Sequence, residues 1–191
     1  MASNFHKLRK LTNQPATAEH QEEYDKQTAA KADDRGFCLL ISALVENALE
    51  QALDHLMGKL PEGVREAVYR DDGPLATFAQ KITMAHALEI IGPVTYANLR
   101  NIRQVRNAFA HAKVPINFKT AEVAAVCSDL QRINIFNPPQ GVDQEPTLPA
   151  RARFENVCHQ IMVRLVSYTG HDVQFKKGDG TPAKILKTVL P

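Results

Sequence analysis

The feature that most constrains this chain is one long apolar stripe. Between Asp34 and Met57, Phe37, Leu40, Ile41, Leu44, Val45, Ala48, Leu49, Ala52, Leu53 and Leu56 recur at spacings of three and four. That period is the one an α-helix needs to line up side chains on one face, and the stripe is wide enough to face several neighbours at once. Asp33 or Asp34 can cap the start, and Gly58 followed by Pro61 stops the helix.

The pattern continues in the same style. Residues 62–69 fit a short helix, and Asp71-Asp72-Gly73-Pro74 reads as a turn with Pro74 at the first position of the next helix. That helix carries Leu75, Phe78, Ile82, Ala85, Leu88 and Ile91 and ends at Gly92-Pro93. A fourth helix is expected from about Thr95 to Ala112, with Leu99, Ile102, Val105, Phe109 and Ala112 inward. A fifth starts near Thr120, as its cap, and buries Val123, Val126, Cys127 and Leu130. Residues 134–149 are rich in Pro, Gly, Asn and Gln and read as a loop. The last helix spans about Pro149 to Tyr168, with Phe154, Val157, Ile161, Leu165 and Tyr168 inward. No βαβ alternation, internal repeat or glycine-rich phosphate loop interrupts this order. The fold class is therefore all-α, a helical bundle of about five main helices. The domain occupies 33–169, preceded by a polar arm over 1–32, with room for a short helix, and followed by a basic tail over 170–191.

Composition narrows the function classes. The 191 residues carry a formal net charge of only +2, and Trp is absent. A dedicated DNA-binding domain is usually far more basic, and a single-stranded nucleic-acid platform needs exposed rings. The cysteines, Cys38, Cys127 and Cys158, are odd in number and widely spaced, with no CxxC. They read as reduced core residues, not as a disulfide framework or a zinc site. No metal and no cofactor is implied. No stretch approaches the roughly 20 apolar residues of a membrane span, and no signal peptide is evident, so a cytoplasmic protein without membrane association is expected.

One constellation could carry chemistry. On the fourth helix Arg103, Asn107 and His111 are spaced by four and share a face, Arg100 and Gln104 extend it, and Arg106 stands at its border. Histidine exchanges protons near neutral pH, and arginine grips phosphate oxygens through a planar fork. With Asn107 to orient the ring, Arg106 and His111 make a minimal kit for metal-independent RNA cleavage. His111 would act as acid or base toward a ribose hydroxyl, and Arg106 would stabilise charge on phosphorus. One copy offers one histidine, and a dimer would offer two. The same residues also suit a polar network at a helix C-terminus, where cations complement the helix dipole. Glu46 and Glu50 on the first helix could supply a carboxylate to this group, or lie at its rim.

Three segments carry a family resemblance: DDRGFCLLISALVENALEQAL, GPLATFAQKITMAHALEIIG and LRNIRQVRNAFAHA. In this order they resemble the mannitol operon repressor family, over about residues 33–130. That family is similar in turn to the wider HEPN superfamily of helical proteins, whose Arg-x4–6-His motif Arg106 and His111 match. The resemblance implies a HEPN-like bundle and a homodimer. It also implies two roles. The first is a non-catalytic regulator of transcription acting mainly through a protein partner; the polar face and the first helix offer Arg100, Arg103 and Glu46 as its binding residues. The alternative is a metal-independent endoribonuclease, with Arg106, Asn107 and His111 catalytic and RNA held on the Arg106/His111 face across a dimer cleft. Ala108 stands where the repressor branch is expected to have an acidic residue, which removes one candidate charge partner.

Overall fold

The computed structural model describes residues 33–58, 60–133 and 148–170. The expected arm over 1–32 lies outside them. So do the 134–149 loop and the 170–191 tail, apart from Leu148, Pro149 and the helical backbone of Gly170. The described residues form six α-helices and no strands: α1 (Asp34–Leu56), α2 (Glu62–Tyr69), α3 (Phe78–Ala87), α4 (Pro93–His111), α5 (Ala121–Ser128) and α6 (Ala150–Gly170). The bundle read from periodicity is the fold.

The wide stripe makes α1 the central helix. Phe37, Cys38, Ile41, Leu44, Val45, Ala48, Leu49, Ala52 and Leu53 are all buried, which takes more than one neighbour. α6 covers the largest part, and α4 and α3 cover the rest. By length and composition α1 would also pass for a membrane span, contrary to the expectation that no stretch comes near. In this fold most of it is buried inside the bundle, and its Glu46 and Glu50 are ion-paired. Gly58 takes up a φ of 77°, and its N–H bonds the His55 carbonyl, ending the helix as its residue type permits.

The connection to α3 differs from the expectation. Pro74 does not open the helix. Thr77 does, through a capping box in which its hydroxyl accepts from the Gln80 N–H and Gln80 answers the Thr77 N–H. Leu75 is buried in the connector. Gly73 is required there, because a Cβ would lie 2.4 Å from the Val68 carbonyl oxygen. α3 also stops earlier, at Ala87. Glu89 adopts a left-handed φ of 58°, which turns Leu88 outward and folds Ile90 and Ile91 into the core.

α4 begins with Pro93 in its first turn and buries Thr95, Asn98, Leu99, Ile102, Val105 and Phe109. Its last carbonyls are met from α1: the Arg35 guanidinium donates to the Ala112 oxygen at 2.9 Å. The carboxylate of Asp34, one of the two caps expected for α1, reaches other elements. It accepts from the Phe118 N–H and pairs with Arg151 at 2.7 Å. Phe118 then packs among Phe37, Phe109 and Phe154, with ring centroids 5.1–6.0 Å apart. Thr120 precedes α5, but its hydroxyl serves the Asn117 N–H instead of the helix. Asn98, buried in α4, clamps the chain after α5: its amide donates to the Gln131 carbonyl at 2.7 Å and accepts from the Gln131 N–H at 2.9 Å. Tyr168, expected in the core, is half-buried and meets His55 edge-on.

All three cysteines are buried thiols. Burial pushes Cys38 and Cys127 up to about 12, and Cys158 well above its ordinary range.

Candidate functional site on the fourth helix

α4 carries Arg100, Arg103, Arg106 and His111 and no Asp or Glu along its nineteen residues. Its buried residues define the inward face, so the outward face follows from the helical period. Arg100, Gln104 and His111 are exposed on it, and Asn107 and Arg103 are half-buried at its edge. The stripe from Arg100 to His111 is about 16 Å long.

Arg106 stands apart from this stripe. It lies five positions before His111, a turn of about 140° around the helix axis. Arg106 is half-buried, with its charge felt by the Cys38 thiol of α1. Its Nη1 donates to Asn107 Oδ1 at 3.2 Å. Asn107 thus links the two members of the motif: it holds Arg106 on one side and lies one turn below His111 on the other. His111 is exposed and makes no hydrogen bond or ion pair among the described residues. Arginine and histidine do not touch, so both can contact one ligand only if it reaches around the end of α4.

At the other end of the stripe the Arg100 guanidinium lies over the Tyr96 ring, 5.7 Å from its centroid. Tyr96 stacks on His86 at 4.4 Å, and His86 Nδ1 lies 3.1 Å from the Ile91 carbonyl oxygen. His86 is therefore placed by its turn and its stacking partner. Among the described residues no group of three or more His, Cys, Asp or Glu side chains is arranged to hold a metal ion.

Glu46 is engaged by the third helix. Its carboxylate pairs with Lys81 of α3 at 2.9 Å. The start of α1 meets the end of α4 at Arg35 and Ala112, so Glu46, eleven residues further along α1, lies about 16 Å along that helix from the His111 end of α4. Glu50 is drawn into the same separate cluster. Its Oε2 lies 2.8 Å from Lys81 Nζ, and its Oε1 lies 2.7 Å from Arg65 and 3.3 Å from Arg70. Arg65 also reaches Asp54 at 3.2 Å. Burial alone would raise the Glu50 carboxyl. The Lys81 hydrogen bond and charge, with Arg70 and Arg65, outweigh it and hold the group below its ordinary value. The Tyr69 hydroxyl is buried beside this cluster and pushed above its ordinary range, chiefly by burial.

Sequence reasoning missed Lys81, Arg65, Arg70 and Asn98. Two of these had a local signal. Lys81 lies beside Ile82 and between Phe78 and Ala85, and Asn98 adjoins Leu99 in the core stripe, so each is a polar residue at an inward position. Comparison of the chain with family models, with curated proteins and with solved structures finds no match, and the family stays an expectation.

Proposed function

We propose that this chain is a cytoplasmic, homodimeric, non-catalytic regulator of transcription that acts through a protein partner, as its resemblance to mannitol operon repressors implies. The outward face of α4, with Arg100 and Arg103, is the surface that meets the partner. One observation carries this reading: among the described residues no carboxylate pairs with Arg106 or His111. The α1 carboxylates that could have done so are bound by Lys81, Arg65 and Arg70, and the next position along the motif, Ala108, is neutral and exposed. A histidine without an orienting acid is a weaker proton carrier.

The endoribonuclease reading keeps one observation in its favour. His111 is exposed and unengaged, and Arg106 and Asn107 are already linked. A second copy could bring a second histidine to the same cleft. Purified full-length protein incubated with total RNA and tRNA in EDTA, beside His111→Ala, separates the two. Intact RNA in the presence of folded dimer supports the regulator. Cleavage that disappears in the variant replaces it with a metal-independent ribonuclease.

A further inference from the structure

Resting on the regulatory reading, we infer that the outward face of α4 is a docking surface for an acidic helix of the partner protein. Four cations of the bundle are matched: Arg65, Arg70, Lys81 and Arg151 each sit within 3.3 Å of a carboxylate. Those of α4 are not. Arg100, Arg103 and Arg106 have no carboxylate partner among the described residues, although the chain has nearly as many acids as bases. Arg100 and Arg103 lie on the outward face of a helix that carries no acid, so that face presents one sign of charge to whatever meets it.

The spacing selects the form of the partner. Arg100, Arg103, Asn107 and His111 follow one another at three, four and four residues, the ridge that packs against another helix. Exposed Ala97 and Ala108 beside the ridge leave room for close approach. A single-stranded nucleic acid fits less well. Tyr96, the ring on this face, is stacked on His86 and lies under Arg100, so it does not offer bases a free platform.

The test uses full-length protein and three dye-labelled probes read by fluorescence anisotropy. One is an Ala–Gln helix of about 20 residues with glutamates spaced at three, four and four. The second has the same composition scrambled, and the third is oligouridylate of matching charge. The patterned peptide is expected to bind best, to weaken as salt rises, and to lose about tenfold in affinity in Arg100→Glu/Arg103→Glu. If that variant does not fold, Arg100→Gln/Arg103→Gln takes its place, with a smaller loss in the same direction. Equal binding of patterned and scrambled peptides, binding of oligouridylate alone, or indifference to the substitutions overturns the inference. RNA cleavage would sink the regulatory reading and this inference with it. No cleavage and no peptide binding sinks the docking surface alone.

Discussion

Replacing Glu50 by glutamine removes one charge from a carboxylate that three cations share. Glu50 is 5% exposed and Lys81 is 3% exposed, so neither charge is solvated in the fold. Without Glu50, Lys81 keeps only Glu46 at the rim, and Arg65 keeps only Asp54. Breaking a buried pair by removing one partner costs about 3–5 kcal/mol, because the remaining charge stays desolvated. Glutamine can still accept a hydrogen bond, which puts the expected loss near the lower end, about 3 kcal/mol. At about 3 °C per kcal/mol for a chain of this size, the midpoint of thermal unfolding falls by about 9 °C. Urea unfolding followed by circular dichroism measures it directly. Lys81→Met alone should also destabilise, while the double variant should lose less than the sum by about 2 kcal/mol, since the two charges are removed together. The dependence on pH has a fixed sign. The folded pKa of Glu50 lies below its ordinary 4.5, so its stabilisation is complete above that value and is lost as pH falls through the lower one. The gap between wild type and Glu50→Gln is therefore constant near neutrality and narrows in acid. A loss below about 1 kcal/mol, or no coupling in the cycle, would show that these charges are solvated and the cluster is not a buried network.

Other expectations are simpler to state. Asn98→Ala strands the Gln131 N–H and carbonyl and should cost about 2–3 kcal/mol in urea unfolding, with faster exchange of the Gln131 amide. Phe109→Ala empties the centre of the Phe118 and Phe154 cluster and should cost about 3–5 kcal/mol, whereas exposed His111→Ala should leave the unfolding midpoint where it is. Stoichiometric labelling of native protein by a thiol reagent at mildly alkaline pH would contradict the burial of Cys38 and Cys127, whose thiols are pushed up to about 12; labelling is expected only after unfolding.

The helices were legible where apolar residues keep time with the 3.6-residue turn, as α1, α4 and α6 do. The start of α3 was misplaced because two signals competed within four residues. Pro74 suits a first helical turn, but Thr77 and Gln80 form the capping box, and the box won. The end of α3 was hidden by Glu89, whose left-handed backbone no periodicity announces. Arg103, Asn107 and His111 could be put on one side of α4 from spacing alone. The fate of Glu46 and Glu50 could not, because it depends on Arg65, Arg70 and Lys81 arriving from two other helices. Charge pairing across 15 to 35 residues is decided by packing, not by local pattern.

The main neighbour of α1 is α6, and the Arg151–Asp34 pair joins residues 117 apart in sequence. On the ribosome, α1 emerges with its widest apolar face uncovered, and that face stays uncovered until the last helix has been made. Closing so long a loop is slow compared with forming either helix. The nascent chain therefore passes through a stage in which a helix apolar enough to span a bilayer has its widest face, the one that meets α6, uncovered. Truncation before Ala150 should leave that stage permanent and the product dependent on chaperones.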